Sequence, residues 1–452
     1  MASSEAQIQL TVPTNEGRYR ALTRANIHKI PEWANLDPEL KEAIQIVSTV
    51  LPFKTNEYVV NELIDWDRVP DDPIFQLTFV QRGMLADDDY AQMASLVRAG
   101  ASKAEIRASA DAIRLRLNPH PAGQLSHNVP VVGGRRLEGI QHKYRETVLF
   151  FPQRGQTCHA YCTFCFRWAQ FVGMEGLKFE ARESNELAAY LREKPEVSDV
   201  LITGGDPMVM KAHALRRYIE PLLAPEFEHI NIRIGTKSVA YWPQRYVSDD
   251  DADAVLALFE EITRSGRHLA LMAHYNHPRE LETPVARRAV ARIRSTGAQI
   301  RIQSPIIRRI NDDAQTWAEL WRTGVKLGCI PYYMFVERDT GPRNYFEVPL
   351  VRAWQIFGDA YRQVSGLART VRGPSMSTML GKVAIDGVVE LAGQRVFALQ
   401  FLQARDPDLV RQPFFAKFDE SATWFTDLQP AFEHDASYFA APVAKTTRLP
   451  IV

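Results

Sequence analysis

The chain has 452 residues, about two to four ordinary domains' worth and enough to bury a full hydrophobic core. Apolar residues make up 46% and charged residues 24%, an ordinary globular mixture that removes compositional support for disordered, collagen-like and coiled-coil classes. Lysine plus arginine equals aspartate plus glutamate, 54 to 54, so nothing global argues for nucleic acid or an anionic membrane, and a charged ligand must be caught locally.

The first residues, MASSEAQIQLTVPTNEG, lack a basic start followed by an apolar stretch, and no run approaches the roughly 18 apolar residues of a membrane span, so a cytoplasmic location is expected. Residues 1–130 read as a helical region. Asp37 before Pro38 caps ELKEAIQIVSTVL, followed by the helical patterns NEYVVNELI, YAQMASLVRAG and AEIRASADAIRLRL. A Pro-, Gly- and Asn-rich stretch from Asn118 to Gly134 reads as a linker.

Over residues 131–370 short β-rich runs alternate with amphipathic segments. The runs are TVLFFP, SDVLITGG, INIRIGT, HLALMAHY, QIRIQSP and IPYYMFV, and the helices between them carry an Asp cap near Asp250 and a Thr283–Pro284 start. Six βα units predict a parallel sheet of α/β class, a partial (β/α)6 TIM-like barrel rather than a closed eightfold one. Residues 371–452 read as a small α+β extension. In it Asp386–Gly387 signals a type I′ hairpin turn, and the last residues read as an aromatic, acidic tail packed on the barrel or on a partner, compatible with a homo-oligomer.

Four cysteines are too few for a disulfide framework and suit a reducing compartment. Cys158, Cys162 and Cys165 form a C-x3-C-x2-C cluster in the loop after the first barrel strand, where such barrels build their sites. Three thiolates on one loop can hold three corners of an iron–sulfur cube, leaving one iron open for chemistry. A zinc-bound interaction module is the alternative, with His159 a poor fourth ligand beside Cys158; Cys329 reads as a small core residue.

The cysteine loop after the first strand of a partial barrel resembles the radical S-adenosylmethionine (SAM) superfamily. LITGGDPM (Leu201 to Met208), AHYNHP (Ala273 to Pro278), IQSPIIRRINDD (Ile302 to Asp313) and IPYYMF (Ile330 to Phe335) are similar, in the same order, to motifs of the lysine 2,3-aminomutase family. The upstream IQHKYRETVLFFP and LIDWDRVPDDPIFQ resemble it too, so the likeness runs from about residue 50 to about 380. It implies a [4Fe–4S] cluster on Cys158, Cys162 and Cys165, with S-adenosyl-L-methionine chelating the open iron. An electron from a donor such as flavodoxin or ferredoxin then cleaves SAM to methionine and a 5′-deoxyadenosyl radical, which abstracts hydrogen from a small-molecule substrate. The resemblance implies that Gly204, Gly205 and Asp206 meet the methionine end, although Gly-Gly-Asp is also an ordinary tight βα turn. It implies that Asn276, Gln303 and Ser304 line SAM, that His274 and His277 lie at the same mouth, and that Arg167 grips a substrate carboxylate.

Three departures stand out. Family members bind pyridoxal 5′-phosphate (PLP) on a lysine after a run of glycines; here Lys382 follows the single Gly381. HKYRETV offers Lys143, with Thr147 where members carry a second basic residue. Arg338 occupies the place of an aspartate that grips the distal ammonium of lysine, with Asp339 one residue off. Migration of an amino group needs the imine system of PLP. The expectation is therefore a radical SAM enzyme that uses Arg167, Arg338 and His274 on a carboxylate-bearing, amino-acid-like substrate, with no PLP on Lys382. A PLP-dependent aminomutase and a non-catalytic Fe–S redox protein are the alternatives.

Overall fold

A computed structural model describes residues 19–118, 128–173, 179–181 and 184–439. Residues 1–18, most of the expected linker (119–127) and the end of the expected tail (440–452) lie outside the described residues. Two short antiparallel pairs, β1 (Ala21–Thr23) with β2 (Lys54–Asn56) and β3 (Val131–Val132) with β4 (Arg135–Arg136), flank the main sheet. That sheet has eleven strands in strict chain order: β5 (Ile140–Tyr144), β6 (Thr147–Phe150), β7 (Asp199–Ile202), β8 (Asn231–Thr236), β9 (Leu269–His274), β10 (Gln299–Ile306), β11 (Ile330–Val336), β12 (Arg372–Ser377), β13 (Gly381–Leu391), β14 (Gln394–Ala404) and β15 (Pro413–Lys417).

The six expected strands are β6 to β11, all parallel, which is the partial barrel the alternation called for. The structure adds a seventh parallel strand, β12, beside β11. Its sequence, RGPSMS, has too few apolar residues to announce a strand. Gly373 takes φ 147° within it, and a Cβ there would lie 2.3 Å from the Met334 carbonyl oxygen. The sheet thus continues past residue 370.

Three local expectations need correction. β13 runs unbroken through Asp386 and Gly387, where the register to β14 shifts between Ile385 and Gly387. The Asp-Gly pair marks a bulge, and the turn falls at Ala392–Gly393, with φ 50° and 76°. The helix Ala252–Arg264 starts after Asp251, whose carboxylate makes no cap bond and instead accepts from Arg245 and from the Ala212 amide. NEYVVNELI is likewise part strand, part π-helical turn at Val59–Leu63. Other caps form as read: Asp37 accepts from the amides of Glu39 and Leu40, and Thr283 from that of Ala286.

The sheet curls until its first strand reaches the β12–β14 region. Lys143 on β5 donates to the Thr378 carbonyl between β12 and β13, and Arg405, just after β14, donates to the Met379 carbonyl at 2.9 Å and to the Asn128 side chain. On β8 the buried Ile232 and Ile234 alternate with the part-exposed Asn231, Arg233 and Gly235; on β10, Ile300 and Ile302 alternate with Gln299, Arg301 and Gln303. One face is therefore apolar, against the helices, and the other is a polar, partly solvated inner wall. One apolar core runs from Leu22 to Val371 and joins the N-terminal helices to the barrel; a second lies under β13 to β15. No helix among the described residues is long and apolar enough to cross a membrane.

Thr283 joins the two parts of the first core, since its hydroxyl also bonds the Tyr58 hydroxyl at 2.7 Å. Thr283→Ala should lower stability by about 1–2 kcal/mol, a lost cap plus a lost hydrogen bond. Thr283→Ser should restore most of it in the denaturant midpoint; equal loss in both variants would contradict the assignment.

Candidate active site

The cysteine loop leaves β6 and is clamped from the N-terminal region. The Tyr161 amide donates to the Lys54 carbonyl at 2.8 Å, the Thr163 amide to that of Leu77 at 3.0 Å, and the Thr163 hydroxyl to that of Gln76 at 2.7 Å. Lys54 returns its ammonium to the Cys158 carbonyl at 2.7 Å, and the Tyr19 hydroxyl donates to the His159 carbonyl at 2.7 Å. Tight turns within the loop, Cys165 amide to Cys162 carbonyl at 3.1 Å and Trp168 amide to Cys165 carbonyl at 3.0 Å, bring the second and third cysteines together.

All three cysteines are part-exposed but deep, and burial pushes every thiol up, Cys165 to about 11 and the other two further. Cys158 feels both other sulfurs and Cys162 feels Cys165, so the three share one neighbourhood. Each also has one cation that opposes the rise: Lys54 at Cys158, Lys237 at Cys162 and Arg167 at Cys165. Three grouped thiols ringed by cations form a donor set that fits an anionic iron–sulfur cluster with one site left over. Among the described residues no three His, Cys, Asp or Glu side chains are gathered tightly enough to ligate a single ion. His159 turns away, its Nδ1 3.6 Å from Asp206 and its ring beside Trp242 at 6.0 Å. Cys329 is buried in the apolar core.

The Gly204–Gly205–Asp206 turn follows β7 and docks on the cysteine loop. A Cβ on Gly205 would lie 2.4 Å from the Thr157 carbonyl oxygen and 2.6 Å from its nitrogen; one on Gly204 would lie 2.1 Å from the Gln156 amide nitrogen. Gly205 therefore admits the Thr157 backbone just before Cys158, and Gly204 admits the carboxamide side chain of Gln156. Asp206 is buried, and its carboxylate accepts from the Met208 amide at 2.9 Å, the Lys237 amide at 2.8 Å and the Thr236 hydroxyl at 2.8 and 2.9 Å. Most of its acceptor capacity is used inside the protein, where it ties the ends of β7 and β8 together beside the cysteine loop.

At the neighbouring strand ends Lys237 is the hub. Its ammonium donates to the His274 carbonyl at 3.1 Å, the Asn276 side chain at 2.9 Å and Glu280 at 2.7 Å. Glu280, fully buried, also accepts from the amides of Asn276 and His277. Lys237 and Glu280 were missed in the sequence reading. The available signals were a lysine directly after a barrel strand and a glutamate three residues after His277, the capping-box spacing. His274 stacks on Phe164 with ring centres 5.7 Å apart, and burial with Lys237 nearby drives its imidazole down to about 3, so it is neutral. Gln303 is part-exposed on the inner wall, whereas its neighbour Ser304 is fully buried on the opposite side of β10, its hydroxyl unpartnered. Gln303 and Ser304 do not line one surface.

Arg167 lies flat on Phe151, 4.2 Å from the ring centre; burial lowers its guanidinium to about 10, opposed by Cys165 and reinforced by Arg338. Among the described residues no carboxylate pairs with Arg167. Arg338 also acts on Lys143, whose amine burial lowers to about 7, so the three expected cations do share one region. Lys382 shares it too. The β12–β13 hairpin folds it back over the barrel, its amine 4.0 Å from the Tyr333 ring centre and lowered to about 7 by burial and then by Arg233, Arg372 and Lys143. The reading against Lys382 rested on the missing glycine run before it, a feature of the chain that does not report this fold-back.

A partial barrel with three cysteines on the loop after its first parallel strand, and beside them an arginine that pairs with no carboxylate among the described residues, has the arrangement of a radical SAM enzyme. The chain is 32% identical over 403 residues to a protein of Aquifex aeolicus (strain VF5) described as "Putative L-lysine 2,3-aminomutase", covering 89% of this chain and 92% of that one. It is 30% identical over 251 residues to the L-lysine 2,3-aminomutase of Escherichia coli (strain K12), covering 54% of this chain and 69% of the relative. The chain belongs to the lysine 2,3-aminomutase family. No family model matches. Solved structures align more loosely: Streptococcus suis SuiB bound to S-adenosylmethionine at 13% identity and TM-score 0.36, covering 61% of this chain and 58% of that one, and a radical SAM methyltransferase from Sphaerobacter thermophilus at 19% and 0.34, covering 52% and 68%.

Because the missing Cβ of Gly205 makes room for Thr157, Gly205→Ala should displace the cysteine loop, and iron retained after anaerobic reconstitution should fall severalfold together with SAM binding. Normal iron with weakened SAM binding would place the glycine against the ligand instead.

Proposed function

We propose that this protein holds a [4Fe–4S] cluster on Cys158, Cys162 and Cys165, binds SAM at the remaining iron and abstracts hydrogen from a small, carboxylate-bearing, amino-acid-like substrate. When bound, the cluster and SAM together supply a 5′-deoxyadenosyl radical after one-electron reduction, with a flavodoxin- or ferredoxin-type donor as the expected reductant. The observation that carries the reading is Arg167: a guanidinium two residues from Cys165, stacked on Phe151 and without a carboxylate partner among the described residues. Its planar fork suits a substrate carboxylate bidentately and would hold the substrate beside the cluster loop. His274, neutral at physiological pH and with an unpartnered buried Nδ1, can offer or accept one hydrogen bond without adding charge. Lys237 and Glu280 keep the β8 and β9 ends rigid around it. Gln303, part-exposed on the inner wall, is a polar side chain that SAM or substrate would meet.

Amino-group migration is the second reading, and the position of Lys382 favours it. PLP would supply the imine system that accepts a migrating nitrogen. A lysine lowered to about 7 has a substantial neutral fraction at neutral pH, and Lys143 lies close enough to act on it.

Reconstituted protein with dithionite should form 5′-deoxyadenosine from SAM, and a Cys158→Ala/Cys162→Ala/Cys165→Ala variant should form none while Cys329→Ala remains active. Across a panel of deuterated amino acids, assayed with and without PLP, label should enter 5′-deoxyadenosine. Arg167→Gln should cut kcat/KM for that transfer about 100-fold, or about 2.7 kcal/mol, and Arg167→Lys less. Label transfer untouched by Arg167→Gln would refute the carboxylate role, and β-lysine formed from L-lysine only with PLP would establish the second reading.

A further inference from the structure

Beside the cysteine loop a buried hydroxyl is left without a partner. Tyr241 ends the short helix Ser238–Tyr241, which follows β8, and its side chain is fully buried. Its hydroxyl makes no hydrogen bond among the described residues. Tyr246, a few residues on and equally buried, shows the ordinary arrangement, its hydroxyl bonded to that of Ser238 at 2.7 Å. A buried hydroxyl left unbonded costs free energy, so one that is also held firmly in place calls for a reason.

Tyr241 is held from three sides. Asn56 on β2 donates to its carbonyl at 2.9 Å, the Lys237 ammonium lies 4.2 Å from its ring centre, and the His159 ring meets it edge-on with centres 6.3 Å apart. His159 is not the missing partner, because both of its ring nitrogens are themselves unpartnered. After burial itself, the group that acts most on the Tyr241 hydroxyl is Cys162. Glu280 acts less, and its oxygens are already taken by Lys237 and by the amides of Asn276 and His277.

Lys237 is the cation that favours a charged Cys162, yet its three N–H groups are spent on the His274 carbonyl, Asn276 and Glu280. It acts on the sulfur through space only. A side-chain hydrogen bond to that sulfur has to come from elsewhere, and the Tyr241 O–H is available for it. A thiol is a weak acceptor, whereas a thiolate carries the charge that draws such a bond tight.

We propose that the Tyr241 hydroxyl donates a hydrogen bond to the Cys162 sulfur when that sulfur ligates iron, and thereby raises the reduction potential of the cluster. Reduction adds negative charge, which a donor at a ligand sulfur stabilises, so the electron needed before SAM can be cleaved enters more readily. The inference rests on the reading that the three cysteines hold the cluster, and it adds the residue that sets how easily the cluster is reduced.

A redox titration of the anaerobically reconstituted protein without SAM, followed by electron paramagnetic resonance, tests it. Tyr241→Phe keeps the ring and removes only the oxygen. The equilibrium constant for reduction should fall about tenfold, a displacement of about 59 mV to more negative potential for one electron, with iron content and melting temperature held. Tyr246→Phe removes a bond that the protein does make, so it should melt lower and leave the potential unmoved. Electron–nuclear double resonance of the reduced wild type should show a proton coupling that D2O abolishes and that Tyr241→Phe lacks. Equal potentials in wild type and Tyr241→Phe, or an equal displacement in Tyr246→Phe, overturn the hydrogen bond. A displacement that emerges only after SAM is added overturns it too, by placing the hydroxyl on SAM. Wild type without a [4Fe–4S] signal removes the cluster reading itself, whereas a normal cluster whose potential ignores Tyr241→Phe removes only the role of Tyr241.

Discussion

The arrangement depends on one backbone-to-backbone contact. Gly205, at the end of β7, lies so close to Thr157 that no side chain fits between them, and the Asp206 amide donates to the Thr157 carbonyl at 2.7 Å. Thr157 immediately precedes Cys158, so the height of the cysteine loop over the barrel is set by a strand end rather than by the loop itself. Asp206 then links that strand end to Thr236 and Lys237, and Lys237 links onward to Asn276 and Glu280. Four successive elements are thereby locked in register around the thiols. The Asp206 and Lys237 heads of this buried network are satisfied, whereas Asn276 Nδ2 has no partner among the described residues.

Charge follows the same plan. Lys54 from the N-terminal region, Lys237 from the end of β8 and Arg167 from the cysteine loop each oppose the rise in one thiol. Three distant segments thus supply the positive surroundings that an anionic iron–sulfur cluster requires, and the helical N-terminal region has a concrete task in holding the loop from outside. His274 stays neutral beside this network, and among the described residues Arg167 pairs with no carboxylate.

Much of this was legible in the sequence. The six parallel strands, the helix caps at Asp37 and Thr283 and the grouping of three cysteines all follow from local pattern, because each depends on neighbours in the chain. The parts that were not legible depend on contacts across the fold. β12 escaped because its pairing with β11, not its apolar content, makes it a strand. Asp386–Gly387 carried a turn signal that a bulge uses equally well. The three internal donors to Asp206 and the hairpin that folds Lys382 back over Tyr333 are contacts across the fold that no local pattern carries. Lys237, the centre of the polar network, gave no signal stronger than its position after a strand.

The central claim is that three loop thiols hold a cluster with one iron free for SAM. Electron paramagnetic resonance of the anaerobically reconstituted, dithionite-reduced protein tests it directly. The account predicts a single reduced [4Fe–4S] signal whose position changes on addition of SAM, as the amino and carboxylate groups take the open iron. A signal indifferent to SAM, or metal bound as an isolated ion with no cluster signal, would contradict it.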